Sequence, residues 1–101
     1  MQNDDRQPPR VLVADDEAAV CLTLTAALRD KGFDVRCAHD GDEAARLGAA
    51  GGFEAAVVDL WLPRVDGLTV LRRLRASWPD MPLFAISGGG PGLSLEAARL
   101  L

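Results

Sequence analysis

Asp15, Asp16 and Asp59, together with the hydroxyl of Ser87, are the groups in this chain best placed to do chemistry. Each stands where an apolar run stops. Val11-Leu12-Val13-Ala14 leads into Asp15-Asp16-Glu17, Ala55 to Val58 leads into Asp59, and Leu83-Phe84-Ala85-Ile86 leads into Ser87. Carboxylates held at contact distance repel, and at least one takes a raised pKa unless a cation intervenes. A hard divalent cation relieves that repulsion. All-oxygen ligation with few carboxylates suits Mg²⁺, which keeps several waters and accepts phosphate oxygens. A carboxylate beside such an ion can act as a nucleophile and form an acyl phosphate. A serine hydroxyl on the neighbouring strand can donate to a phosphoryl oxygen.

Those groups meet only if the right elements carry them. Val11 to Ala14 reads as a first strand, buried on both faces. A helix from about Glu17 to Lys31 follows, with Val20, Leu24, Ala27 and Leu28 as its apolar face. Gly32 fits the position just past its end, with Phe33 packing back on the last turn. Asp34 to Ala38 is a second strand. Asp40-Gly41-Asp42-Glu43 reads as a capping box for a helix from Gly41 to Ala50, with Asp40 as N-cap and Glu43 reaching back. A third strand ends at Asp59. A third helix spans Gly67 to Ser77, with Leu68, Leu71 and Leu74 inward, and Trp78-Pro79-Asp80-Met81-Pro82 breaks it. A fourth strand runs from Leu83 to Ile86, Gly88 to Gly92 is a loop, and Ser94 caps a last helix reaching Leu101. This alternation predicts an α/β doubly wound parallel sheet with right-handed crossovers, in which strand ends of one sense share a rim.

Composition narrows the function classes. At 101 residues and 49% hydrophobic, the chain forms one domain with a real core. No apolar run approaches the roughly 18–20 residues of a membrane span. Met1 to Arg10 has neither signal-peptide nor transit-peptide character, so it reads as a flexible arm and the compartment as cytoplasmic. A net charge of −4 argues against nucleic acid as a partner. Cys21 and Cys37 lack metal-site spacing and read as small buried hydrophobes.

These motifs together resemble the receiver domain of bacterial two-component response regulators. Val11 to Glu17 is similar to that family's first strand and acidic pair. Asp59-Leu60-Trp61-Leu62-Pro63-Arg64-Val65-Asp66-Gly67 fits its D-x-x-[ML]-P-x-x-[DN]-G stretch, Ala38 to Ala44 its second strand-to-helix turn, and Ile86-Ser87-Gly88 its switch hydroxyl. The resemblance covers Val11 to Leu101 and implies a flavodoxin-like strand order, 2-1-3-4. It implies Asp59 as phosphoacceptor, with Mg²⁺ bound by Asp16, Asp59 and the backbone carbonyl of Trp61, and with Asp15 acting largely through a water on the ion. Ser87 would be the switch hydroxyl. The donor would be a phosphohistidine on a sensor histidine kinase or phosphotransfer protein, and the module regulatory rather than an enzyme.

Receivers also have a fifth strand ending in Lys-Pro and a fifth helix. Here strand five and helix five are absent, the sequence ends where the fourth helix would, and its one lysine is Lys31. A C-terminally truncated receiver over residues 11–101 is the expectation. Strand four then becomes an edge, which predicts self-association through Leu83 to Ile86. An interaction module independent of phosphate is the alternative function. A small magnesium phosphohydrolase resembling the haloacid dehalogenases would want D-x-D at the nucleophile, where Trp61 takes the second acidic place. A Ser87–His39–Asp59 triad lacks the G-x-S-x-G elbow, and Gly88 to Gly92 lacks the lysine of a P-loop. Trp61 either shields the phosphoryl site, serves as a contact, or simply packs.

Overall fold

The computed structural model describes residues 7–87 and 94–96, with residues 87 and 94–96 described by their backbone alone. The strands are β1 (Arg10–Ala14), β2 (Asp34–Ala38), β3 (Ala55–Asp59), β4 (Leu83–Ser87) and β5 (Ser94–Glu96). The helices are α1 (Ala18–Asp30), α2 (Gly41–Ala50) and α3 (Gly67–Ser77). The sheet order is β2-β1-β3-β4-β5. The first four strands run parallel, as β–α–β connections require.

Local chemistry explains the helix ends. The Asp40 carboxylate accepts from Glu43 N–H at 2.8 Å and opens α2. Glu43 reaches back to His39 N–H, also at 2.8 Å, one residue upstream of the bond a capping box predicts. Asp66 caps α3 through Thr69 N–H at 2.9 Å. Helix α1 closes with Phe33 N–H on Leu28 O and Gly32 N–H on Arg29 O, with Gly32 at φ +94°. That is the left-handed glycine stop expected at this position.

The core lies on both faces of the sheet. Leu12, Ala14, Ala56 and Val58 point to the side covered by α2 and α3, against Ala44, Val70, Leu71 and Leu74. Val11, Val13, Val35 and Val57 point to the other, against Cys21 of α1. Strand alternation makes the division, since successive side chains leave opposite faces. Two expected inward residues face out: Ala27 and Leu68 are exposed, while Cys21 and Val70 are buried. The rest of each expected stripe packs inward, Val20, Leu24 and Leu28 on α1 and Leu71 and Leu74 on α3.

Three further expectations are corrected. Arg10 belongs to β1 and Pro9 O accepts from Asp34 N–H at 2.8 Å, so the sheet begins inside the proposed arm. Ser94 begins a strand rather than capping a helix. That strand pairs antiparallel with β4, Ala85 with Glu96, Ile86 with Leu95 and Ser87 with Ser94. A tertiary ladder on an open edge outweighs local helix propensity here. The premise for self-association through strand four therefore fails over residues 85–87, where the chain covers its own edge. The remainder of the expected last helix, residues 97–101, lies outside the described residues, as do residues 1–6 of the arm and the loop at residues 88–92.

Candidate functional site

Parallel pairing brings two strand ends to one rim. Ala14 lies opposite Val58, so Asp15 and Asp59 follow at the same level on adjacent strands. Asp15 N–H donates to Ala38 O at 3.0 Å and Leu60 N–H donates to Ile86 O at 3.0 Å, which extends the ladder just past each strand. Carboxylate oxygens of Asp15, Asp16 and Asp59 all lie within 4.8 Å of one another. The rim thus gathers all three acidic residues singled out by type and spacing.

The three differ in surroundings. Asp15 and Asp59 are only 1% and 4% exposed, whereas Asp16 is open to solvent. Asp15 Oδ1 accepts from Glu17 N–H at 2.8 Å. Burial pushes the Asp15 carboxyl above its ordinary value, a hydrogen bond from Glu17 opposes the shift, and the charges of Asp59, Asp16 and Glu17 add to it. Asp59 Oδ1 accepts from Trp61 N–H at 3.0 Å, which fixes one carboxylate oxygen and leaves Oδ2 for a ligand. Buried carboxylates in such a group cost stability unless a cation joins them. The donor set is all oxygen, which fits a hard cation such as Mg²⁺.

Glycines let the surrounding loop close. A Cβ on Gly67 would run into the backbone carbonyl of Asp59, and one on Gly41 into the backbone of Val65. Gly67 N–H donates to Leu60 O at 3.1 Å and Gly41 N–H to Pro63 O at 3.0 Å. The loop from Leu60 to Asp66 is therefore pinned to its own helix and to the start of α2. Arg64 in that loop has φ +72° and lies 3.7 Å from Asp40 and 3.5 Å from Asp42. No local pattern flagged Arg64 as a site residue, because its partners lie more than twenty positions away in sequence.

Other expected residues fall into place or drop out. The indole of Trp61 is 71% exposed beside Asp59, so it does not pack into the core. Ser87 ends β4 next to Asp59 on the sheet, and its side chain lies outside what the structure describes. Cys21 is buried and Cys37 half-buried, both as free thiols, and burial pushes the Cys21 thiol up to about 12. That is an unreactive core sulfur.

The acidic cluster thus sits at the carboxyl ends of the strands of a doubly wound sheet, the place where such sheets keep their ligand sites. The model of the response regulator receiver domain matches residues 11–97, and the chain belongs to that family. It is 41% identical over 80 residues to the response regulator MprA of Mycolicibacterium vanbaalenii, covering 79% of this chain and 35% of that protein. The MprA of Mycobacterium tuberculosis is also 41% identical, over 78 residues. The chain spans about a third of the length of these relatives. Among solved structures, a response regulator receiver protein from Sinorhizobium medicae aligns with a TM-score of 0.78 at 32% identity, over 83% of this chain and 69% of that one. A Burkholderia pseudomallei response regulator, solved with a phosphorylated aspartic acid, calcium ion and citrate, aligns at 0.74 with 35% identity, over 81% and 48%. Among the described residues, no helix is long and apolar enough to cross a membrane.

Proposed function

We propose that the chain is a phosphoacceptor receiver of two-component signalling, with Asp59 as the acceptor. The observation that carries this reading is the meeting of Asp15, Asp16 and Asp59 within 4.8 Å on one rim. Asp16, Asp59 and the carbonyl of Trp61 would hold Mg²⁺, with Asp15 behind them. When bound, the ion supplies positive charge against the phosphoryl oxygens and the carboxylates alike.

The chain's own residues do the rest. Trp61 N–H holds Asp59 Oδ1 and limits rotation of the carboxylate. An Asp59 oxygen attacks phosphorus of a phosphohistidine on a sensor kinase or phosphotransfer protein. A P–N bond breaks, an acyl phosphate forms, and the imidazole leaves with a proton. Water later attacks phosphorus and returns the carboxylate. Ser87 donates to a phosphoryl oxygen and links the site to β4 and the strand paired with it. The exposed Trp61 indole, two residues past Asp59, serves as a shield or a partner contact. The chain catalyses its own phosphorylation and dephosphorylation, and works in the cytoplasm, where such donors are found.

Incubation with acetyl phosphate and Mg²⁺ tests this. One phosphoryl mass increment is expected, lost in Asp59→Asn and suppressed by chelator. A chain that binds Mg²⁺, keeps its fold and gains no mass is not a phosphoacceptor.

A further inference from the structure

The loop that follows Asp59 is held in an unusual way. Val65 N–H donates to Pro63 O at 3.0 Å, two residues back, and Arg64 between them has φ +72°. A two-residue return around a positive φ is the rare and strained kind of γ-turn. Side chains seldom adopt it, and it persists only where neighbouring structure over-determines it. Here the neighbour is the start of α2. Pro63 O accepts a second hydrogen bond, from Gly41 N–H at 3.0 Å. The Arg64 guanidinium crosses to Asp40 at 3.7 Å and to Asp42 at 3.5 Å. Asp40 is already fixed, since its other oxygen caps α2. The clamp thus joins a strained turn to a rigid helix end. Upstream of the turn are Asp59 and Trp61, whose amide holds the Asp59 carboxylate.

We propose that Arg64 is a positioning residue. By bridging Asp40 and Asp42 it clamps the strained turn, orients Asp59 and the Trp61 backbone, and so sets the affinity of the acidic rim for a divalent cation. This rests on the reading of that rim as a Mg²⁺ site. The clamp acts through backbone geometry rather than through the arginine's charge. The two routes have opposite signs, which makes the idea easy to break. Removing a cation near an acidic site strengthens Mg²⁺ binding on charge alone. Removing the clamp loosens the ligand geometry and weakens it.

The experiment is calorimetric titration of the full chain with Mg²⁺, for wild type, Arg64→Ala, Arg64→Lys and Arg64→Gly, each checked by thermal unfolding. Arg64→Ala is expected to bind about two- to fivefold more weakly, the scale of an exposed ion pair. Arg64→Lys keeps a point charge on a flexible stem and is expected to recover part of that loss. Arg64→Gly relieves the backbone strain. It is expected to unfold no earlier than wild type and still to bind Mg²⁺ as weakly as Arg64→Ala. That separation of stability from affinity is what a merely structural arginine would not show. The gap between wild type and Arg64→Ala is expected to shrink in high salt, where exposed pairs are screened. Equal or tighter binding by Arg64→Ala and Arg64→Gly overturns the clamp and leaves the Mg²⁺ reading intact. A wild-type chain that binds no Mg²⁺ overturns both.

Discussion

At the N-terminal end of the strands, Arg10 lies 3.9 Å from Asp34 and stacks 4.6 Å over the Phe53 ring. At the C-terminal end of the same strands, Asp15, Asp16 and Asp59 face one another, two of them buried. Both ends are polar, and both close a parallel sheet. One end neutralises its charge with partners of the opposite sign. The other accumulates a single sign. Folding alone favours the first arrangement, because a buried like-charge cluster raises the energy of the native state. The second arrangement is kept where a ligand supplies the missing charge, and the repulsion becomes binding energy.

The largest effect should come from breaking the acidic end. With chelator present, Asp59→Asn removes a buried negative charge and is expected to stabilise the fold by about 1–3 kcal/mol. Mg²⁺ at about a hundred times its Kd is expected to stabilise wild type by about 2.7 kcal/mol, and Asp59→Asn by far less. Urea unfolding with and without Mg²⁺ measures both. A destabilised Asp59→Asn in chelator would mean the cluster is balanced by something other than a cation. Asp15 adds a pH signature to the metal-free chain. Its native pKa is raised above 3.8 by burial. The stability it allows is complete at pH below 3.8 and is lost as pH rises through the raised value. Asp15→Asn should flatten that decline.

The next effect sharpens the comparison by moving the loop rather than its charges. Gly41→Ala drives a Cβ into the Val65 backbone, and neither side is a flexible side chain that can step aside. A loss of about 1–3 kcal/mol is expected, with weaker Mg²⁺ binding. Gly32→Ala is the control. Gly32 has φ +94° but open space around it, so its cost is about 1 kcal/mol, with no change at the rim. Equal effects of the two substitutions on Mg²⁺ would deny any link between α2 and the loop that follows Asp59.

Much of this was legible in the residues. Helix α2 begins at its Asp40 cap and helix α3 ends at the break from Trp78 to Pro82, because caps and breakers are local chemistry. The acidic rim followed from apolar runs that stop at carboxylates. What failed was non-local. Whether Val70 or Leu68 faces inward depends on how α3 sits on the sheet, and both choices satisfy helical spacing. Ser94 resembles an N-cap by type, yet an open edge at β4 recruits the segment into the ladder. Arg64 carries no sequence sign of its positive φ, since the restraint comes from Asp40, Gly41 and Asp42 on another element.

A smaller effect separates two kinds of carboxylate. Asp66 is exposed and accepts from Thr69 N–H and from the Thr69 hydroxyl, both at 2.9 Å. Those bonds hold its carboxyl below the ordinary 3.8, the opposite direction from Asp15. The stability it adds is present above pH 3.8 and is lost as pH falls through the lowered native value. Asp66→Asn keeps a capping oxygen without the charge. It should be less stable than wild type at neutral pH and converge with it in acid. Urea midpoints against pH read this directly, and parallel curves would deny the charge any part in the cap.

The smallest effect belongs to the balanced end. Arg10→Ala removes an exposed ion pair and a cation–π contact, and both are modest at partly solvated sites. The expected loss is about 0.5–1 kcal/mol. Mg²⁺ affinity should not change, because the rim is a full strand length away, about 17 Å for five residues, and well beyond the screening distance of about 8 Å at physiological salt. Arg10 also lends its backbone carbonyl to Glu54 N–H at 2.7 Å, which alanine preserves. The substitution therefore tests the side chain alone. A several-fold change in Mg²⁺ binding would show that the two ends of the sheet are mechanically coupled. An unchanged affinity with a small stability loss leaves charge pairing at one end and charge accumulation at the other as independent devices on a shared scaffold.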